Sequence, residues 1–179
     1  MVARIMSVLS DIAHKQEICR EILTTLPGYG QDHAALDARI TAIAPLDVFI
    51  EFDGDAALGF IALKAHSPIH IEIYLLAVRR AAQRQGIGSR LLAAAEAFGQ
   101  DHGADYLSVQ AVPAQQTVRV FAKTDAFLRA RGFADFMSIP NDTDGDRPGL
   151  QMLKHIKQRH FLSKLQKRCR MWCRRLWCL

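Results

Sequence analysis

The sequence has no run of about 20 apolar residues, so nothing in it reads as a membrane-spanning helix. Met1 to Ser10 lacks both a long apolar run and a small-residue cleavage site, and no secretory signal is expected there. Cysteine is scarce. Four are present, Cys19, Cys169, Cys173 and Cys178, and three of them crowd into the last eleven residues. That distribution cannot staple a fold and points to reduced thiols in a cytosolic protein. The C-x₃-C-x₄-C spacing does not suit zinc, and no H-E-x-x-H or C-x-x-C pattern occurs. His66, His70 and His102 are scattered along the chain, so no metal is expected. Without a G-x-S-x-G or a Cys/His pairing, a covalent nucleophile is not expected either. Acid is missing from residues 154–179, which hold nine Lys and Arg. The net charge of +5 therefore divides into +9 there and −4 over residues 1–153.

Half of the residues are hydrophobic and the chain has 179 of them, enough for one domain with a full core. The domain is expected over 1–156 and a separate tail over 157–179. Ser10 is placed to cap a helix over about 11–25, with Ile12, Ile18, Ile22 and Leu26 at near-helical spacing. Pro27-Gly28-Tyr29-Gly30 ends it. Asp32 caps a second helix to about Ile43, which Pro45 stops. Three strands follow, over 47–52, 57–65 and 70–78, the first two joined by Asp53-Gly54-Asp55. A helix over about 88–101, a strand over 106–112, a helix over 118–130 ending at Gly132, and two strands over 133–139 and 149–156 complete the order. The order is that of an α/β sandwich around a mostly antiparallel sheet.

The densest information lies between Ile71 and Leu92. An apolar strand ends at Val78, a basic turn follows, and Gln83-Arg84-Gln85-Gly86-Ile87-Gly88 leads into a helix beginning near Ser89. Glycine has no Cβ to keep the backbone from a phosphate. A helix start offers unpaired N–H groups and partial positive charge to an anion. The spacing is not G-x-x-x-x-G-K-[ST], and a single G-x-G lacks the third glycine of a dinucleotide fingerprint.

This stretch resembles the acetyl-CoA loop of the GNAT acetyltransferases, [Q/R]-x-x-G-x-[G/A]. Val78-Arg79-Arg80 takes the place of the V-x-P-like segment before it, without the proline. Phe121-Ala122-Lys123-Thr124-Asp125-Ala126-Phe127-Leu128-Arg129-Ala130-Arg131-Gly132-Phe133 is similar to the Y-x-x-T-R-x-F-Y-x-x-x-G-F segment of one bacterial branch. Leu150 to Ile156 looks like that branch's closing strand. The resemblance covers about 10–156 and implies a GNAT-like sandwich, a mixed, mostly antiparallel sheet flanked by helices. It implies acetyl-CoA as cosubstrate and a small-molecule or peptide amine as acceptor, joined by direct attack in a ternary complex. It also implies that Leu76, Ala77 and Val78 pair with the pantetheine arm and that the N–H groups from Arg84 to Ser89 cradle the pyrophosphate. Thioester and amine would meet in a splay between the strands ending near Val78 and Val112. A homodimer is left open.

On strand alternation His70, Glu72, Tyr74 and Leu76 share one face, and Ile71, Ile73, Leu75 and Ala77 the other. Glu72 is flanked by apolar residues, so its carboxylate is partly desolvated, and it lies eleven residues before Gln83. A general-base glutamate stands at that place in several members of the family, which makes Glu72 the candidate base. The family tyrosine that protonates the leaving thiolate falls on Leu128, which has no proton to give. Phe121 and Asp125 depart from the pattern too. Tyr74 is the substitute acid. The alternative is an acyl-CoA-binding module that turns over weakly or not at all and acts through a partner or a membrane. In the tail, Leu165, Cys169, Trp172 and Leu176 recur at helical spacing among Lys and Arg. That pattern suits an anionic membrane surface, and equally a frayed helix or an extension without a selected role. No nucleic-acid partner is expected. Substrate choice is expected in the N-terminal helices and in the loops Pro27 to Asp32 and Pro140 to Pro148.

Overall fold

The fold is that of a computed structural model, which describes residues 4–8, 11–27, 29, 32–111, 119–139 and 149–156. The tail, the loop at 140–148 and most of the loop at 28–31 lie outside the described residues, as do Ser10, Val112 and the side chain of Phe121.

Helix α1 spans Ile12–Thr24. Its cap is Asp11 rather than Ser10: the Asp11 carboxylate accepts from the His14 N–H at 3.2 Å. Its buried face is Lys15, Ile18, Cys19, Ile22 and Leu23, at the three- and four-residue steps of a helix. Ile12 lies off that face and is 52% exposed. Helix α2, His33–Ile43, starts on the expected cap, Asp32, which accepts from the Ala35 N–H at 3.0 Å. The buried ammonium of Lys15 donates to the Ala44 and Leu46 carbonyl oxygens at 2.8 and 2.9 Å, just past the end of α2. Two carbonyls at a helix C-terminus offset the cost of burying that charge.

The sheet has seven strands. They are β1 (Arg4–Val8), β2 (Asp47–Asp53), β3 (Ala56–Ser67), β4 (His70–Val78), β5 (Tyr106–Ala111), β6 (Ala134–Ile139) and β7 (Gly149–His155). The spatial order is β1-β2-β3-β4-β5-β7-β6. Among the described residues, only β4 and β5 run parallel. The mixed, mostly antiparallel sheet matches the expectation. Strand β1 was not expected. It adds to β2 from Arg4↔Asp53 to Val8↔Phe49, and five residues without flanking turn signals give too little pattern to read.

Helix α3 (Ile87–Asp101) links β4 to β5, and α4 (Arg119–Ala130) precedes β6. One core lies between α1, α2 and the sheet, built from Ile22, Leu23, Ile43, Ile50, Phe60 and neighbours. The other lies on the opposite face, where Leu91, Leu92 and Leu128 meet Ile61, Ile73, Leu107 and Met152. Each such fully buried side chain contributes roughly 1.5–3 kcal/mol. Gly59 of β3 sets how closely α3 approaches. A Cβ there would lie 2.8 Å from the Ala77 carbonyl oxygen and 3.2 Å from Ile87 Cγ2. Among the described residues no helix is long and apolar enough to cross a membrane.

Candidate active site

Strands β4 and β5 pair over a short span only, from His70↔Tyr106 to Ile73↔Val109. The next residue, Tyr74, is an extra one in β4. Leu63 of β3 stands opposite Ile73, and Ala62 opposite Leu75. This bulge bends the strand and shifts its alternation by one. Glu72 and Tyr74 lie on the α1/α2 side, as do Leu75 and Ala77, while Ile71, Ile73, Leu76 and Val78 pack toward α3 and α4. The expected groupings of Leu76 with Glu72, and of Leu75 and Ala77 with Ile71 and Ile73, are therefore corrected: one extra residue breaks the period of two. Above the bulge, Leu76 to Val78 continue to pair with β3 through Ile61, Phe60 and Gly59. No β5 partner is recorded for them among the described residues. The strands splay there, and the expected far edge at Val112 lies outside the described residues.

The loop after β4 folds as a short 3₁₀ turn, Arg80–Ala82, and then opens α3. Gly86 is the N-cap at φ +80°, and no side chain caps the helix. Gly86 suits that conformation, whereas Arg84 holds φ +66° at a cost of about 1–2 kcal/mol. The loop's side chains mostly serve its shape. The Gln83 amide donates to the Val78 carbonyl oxygen at 3.1 Å, and the Gln85 amide reaches the Ala81 carbonyl oxygen at 3.5 Å. Ile87 is buried in the core. The Ser89 N–H donates to the Gly86 carbonyl oxygen at 3.1 Å, so it turns into the helix, and its hydroxyl accepts from Arg131. Of the N–H groups expected between Arg84 and Ser89, that of Ser89 is therefore already engaged within the helix. Gly88 sits beside Phe127 and Val78; a Cβ there would be in ordinary contact at 3.5 and 3.8 Å.

One pair beneath the loop was not read from the sequence. Arg90 of α3 grips the carboxylate of Glu51 on β2 in two-pronged fashion, at 3.0 and 3.1 Å from Nε and 2.6 Å from Nη2. Glu51 is only 1% exposed. The third nitrogen of Arg90 donates to the Gln85 carbonyl oxygen at 3.2 Å. The guanidinium thus ties the loop to the sheet. The hydrogen bond to Glu51 raises the affinity of Arg90 for its proton, so the charge is permanent. Glu51 lies 39 positions from Arg90, and no local pattern links them.

Below the bulge the strands carry polar side chains. Glu72 is 13% exposed, and its Oε2 lies 2.6 Å from His66 Nε2. The His66 ring stacks on His70 at 5.3 Å and 19°. His70 Nε2 lies 2.7 Å from the hydroxyl of Ser108, which is fully buried. Desolvation, helped by His66 and opposed by Glu72, pushes His70 below the ordinary histidine range. His66 and His102 both line a cavity of about 370 Å³ at the far end of β3 and β4 from the loop. The three histidines expected to be scattered are gathered in one region. Among the described residues no group of three His, Cys, Asp or Glu is placed to hold a metal.

Leu128 is 1% exposed and sits in the α3/α4 core. Tyr74 packs against the α1/α2 core on the other face of the sheet. Cys19 is fully buried, and desolvation pushes its thiol up to about 12, so it holds no thiolate at neutral pH.

The structure is an α/β sandwich whose parallel pair parts at a bulge, followed by a loop and an uncapped, glycine-opened helix. The profile of the acetyltransferase (GNAT) family matches residues 16–127, and the chain belongs to that family. It is an acetyl-CoA-dependent N-acetyltransferase that acts on an amine. Solved structures share the fold. A putative acetyltransferase of the GNAT family from Desulfovibrio desulfuricans superposes with a TM-score of 0.70 at 16% identity, over 88% of this chain and 100% of that one. The ribosomal-protein-S18-alanine N-acetyltransferase from Escherichia coli gives 0.67 at 16%, over 87% and 95%. A GNAT family acetyltransferase from Elizabethkingia anophelis, with acetyl-CoA bound, gives 0.63 at 14%, over 85% and 97%. No curated protein matches the chain by sequence.

Proposed function

We propose that the chain moves the acetyl group to its amine by direct attack in a ternary complex assembled at the β4/β5 splay. The observation that carries this reading is the course of β4. It leaves β5 at the bulge, two residues beyond Glu72, and ends on a helix start without a side-chain cap. Acetyl-CoA supplies an acyl group already activated as a thioester. The backbone of Leu76, Ala77 and Val78 offers a strand edge to the pantetheine arm. The loop of Gln83, Arg84, Gln85, Gly86, Ile87 and Gly88 offers N–H groups and the positive end of α3 to the pyrophosphate. Ser89 adds a hydroxyl at that end.

Holding both reactants in one slot is worth up to about 7–11 kcal/mol of the barrier. The amine must lose a proton, because an ammonium has no lone pair. Glu72 is the base in this reading, worth roughly 10²–10⁴-fold. A thiolate with a pKa near about 8.5 leaves without an acid, which suits the core position of Leu128. Tyr74, half-buried at the bulge on the face of Glu72, is the available donor if one is used. We place the enzyme in the cytoplasm and the end of its domain at residue 156.

Release of CoA thiol with a panel of small-molecule and peptide amines tests the reading. Turnover with at least one amine is expected, and Glu72→Gln should lose it. Tight acetyl-CoA binding without turnover on any amine would favour a binding module instead. A loss under about threefold in Glu72→Gln at neutral pH would remove Glu72 as the base.

A further inference from the structure

Glu72 is not held by its own strand. A carboxylate on three rotatable bonds reaches an incoming amine in many orientations, and most of them are unproductive. What fixes it comes from β3. Between Ala65 and Ser67 the β3–β4 ladder skips a residue, and the skipped residue is His66. Released from the ladder, its ring turns to Glu72 and puts Nε2 2.6 Å from Oε2. The ring is held in turn. It stacks on His70, and His70 is anchored across the parallel seam by the buried hydroxyl of Ser108. Gln151 of β7 donates to the same hydroxyl at 3.4 Å. The seam thus anchors the carboxylate through a chain of contacts across four strands.

We propose that His66 is the positioning residue of Glu72. Its Nε2–H occupies one carboxylate oxygen and leaves the other, Oε1, to take the proton of the amine. This rests on the reading of Glu72 as base. In the step itself an N–H bond of the ammonium breaks, its electron pair stays on nitrogen, and the proton passes to Oε1. His66 does not touch the substrate. Its effect is on geometry: the N–H of the ring directs the carboxylate. The other groups around His66 are Lys64 of β3, opposite Glu72, the ring of His70, and Asp47 of β2 and His102 at the end of α3, which share its cavity. His70 resists protonation.

The test compares His66→Ala, His66→Gln and Glu72→Gln with the parent enzyme on one amine, whose own ionisation is common to all four. His66→Ala should lower kcat about tenfold, the worth of a hydrogen bond to a charged group, with the KM for acetyl-CoA within about twofold. His66→Gln, which restores an N–H donor, should recover the rate to within about threefold of the parent. In the free parent protein at pH 8, ¹⁵N shifts should show the hydrogen of His66 on Nε2. If His66→Ala stays within about twofold while Glu72→Gln falls tenfold or more, His66 is overturned and Glu72 stands. If Glu72→Gln is itself within about threefold, the base assignment fails and the proposal with it. A His66→Gln enzyme as slow as His66→Ala, or a bare Nε2, also overturns the proposal.

Discussion

Below the bulge at Tyr74, β4 offers side chains; above it, β4 and its loop offer backbone. The lower half gathers Glu72, His66, His70 and Ser108 from three strands, each oriented by the next. In the upper half several side chains brace the loop itself. Gln83 closes on Val78, Ile87 is buried, and Arg90 holds Gln85 from beneath. What faces outward is the start of α3, shaped by a glycine at φ +80°. The contrast suits the two tasks proposed for this strand. An anion spread over several oxygens is matched by a row of N–H groups in fixed positions. A single proton is matched by one atom with a controlled charge and direction. The β5 ladder ends and the alternation reverses at the same point, which would let one strand serve both.

If the halves are separate, they fail separately. Glu72→Gln should lose about 10²-fold or more in kcat/KM for the amine, with the Kd for acetyl-CoA by titration calorimetry within about twofold of the parent. A comparable loss of acetyl-CoA affinity would break the division, because it would mean that the carboxylate supports the cosubstrate as well.

Arg90→Met comes next and acts on the loop from below. It leaves the Glu51 carboxylate buried without its partner, and about 3 kcal/mol of stability should go, read as a shift of the urea midpoint. Glu51→Gln/Arg90→Met should regain part of this, since no buried charge remains. A single variant as stable as the parent would mean that the pair does not hold the loop. Gly86→Val is smaller in stability but specific in function. A β-branched residue is strained at φ +80°, and its Cβ would meet the Arg90 guanidinium at about 3.0 Å. Acetyl-CoA affinity should fall about tenfold, with kcat at saturation nearly kept. A fall in kcat alone would place the glycine on the wrong side of the comparison.

The two halves were not equally legible. Period-2 apolarity located β4 over His70–Val78, and Gln83 to Gly88 marked the turn into α3, because both signals are local. Asp32 and Pro45 bounded α2 for the same reason. The bulge left no trace: the run from Ile71 to Val78 reads the same with or without an extra residue, so Leu76 was assigned to the wrong face. His66 lies close in sequence to Glu72, yet only the slip in β3 turns it toward that carboxylate. Arg90 and Glu51 meet through the fold alone. Leu128 was legible as a missing proton donor, but not as a core residue, because the helix face it occupies is set by how α4 packs on the sheet.

The smallest effect concerns the lower half without its chemistry. His70 takes up a proton less readily in the fold than an unperturbed histidine, because burial and His66 oppose the charge more than Glu72 favours it. The unfolded chain protonates this ring first as pH falls below about 6.5. Between that value and the lower folded one, the unfolded state holds more protons at this site, and stability drops with pH. His70 therefore contributes its full share above about 6.5 and loses it progressively on the acid side. In His70→Gln, which keeps a polar group near Ser108, the urea midpoint should change less between pH 7.5 and 5.5 than in the parent. The ring is only partly buried and solvent screens it in part, so the difference should be shallow. Equal slopes would show that acid sensitivity in this window comes from other groups, and that His70 serves only to seat His66.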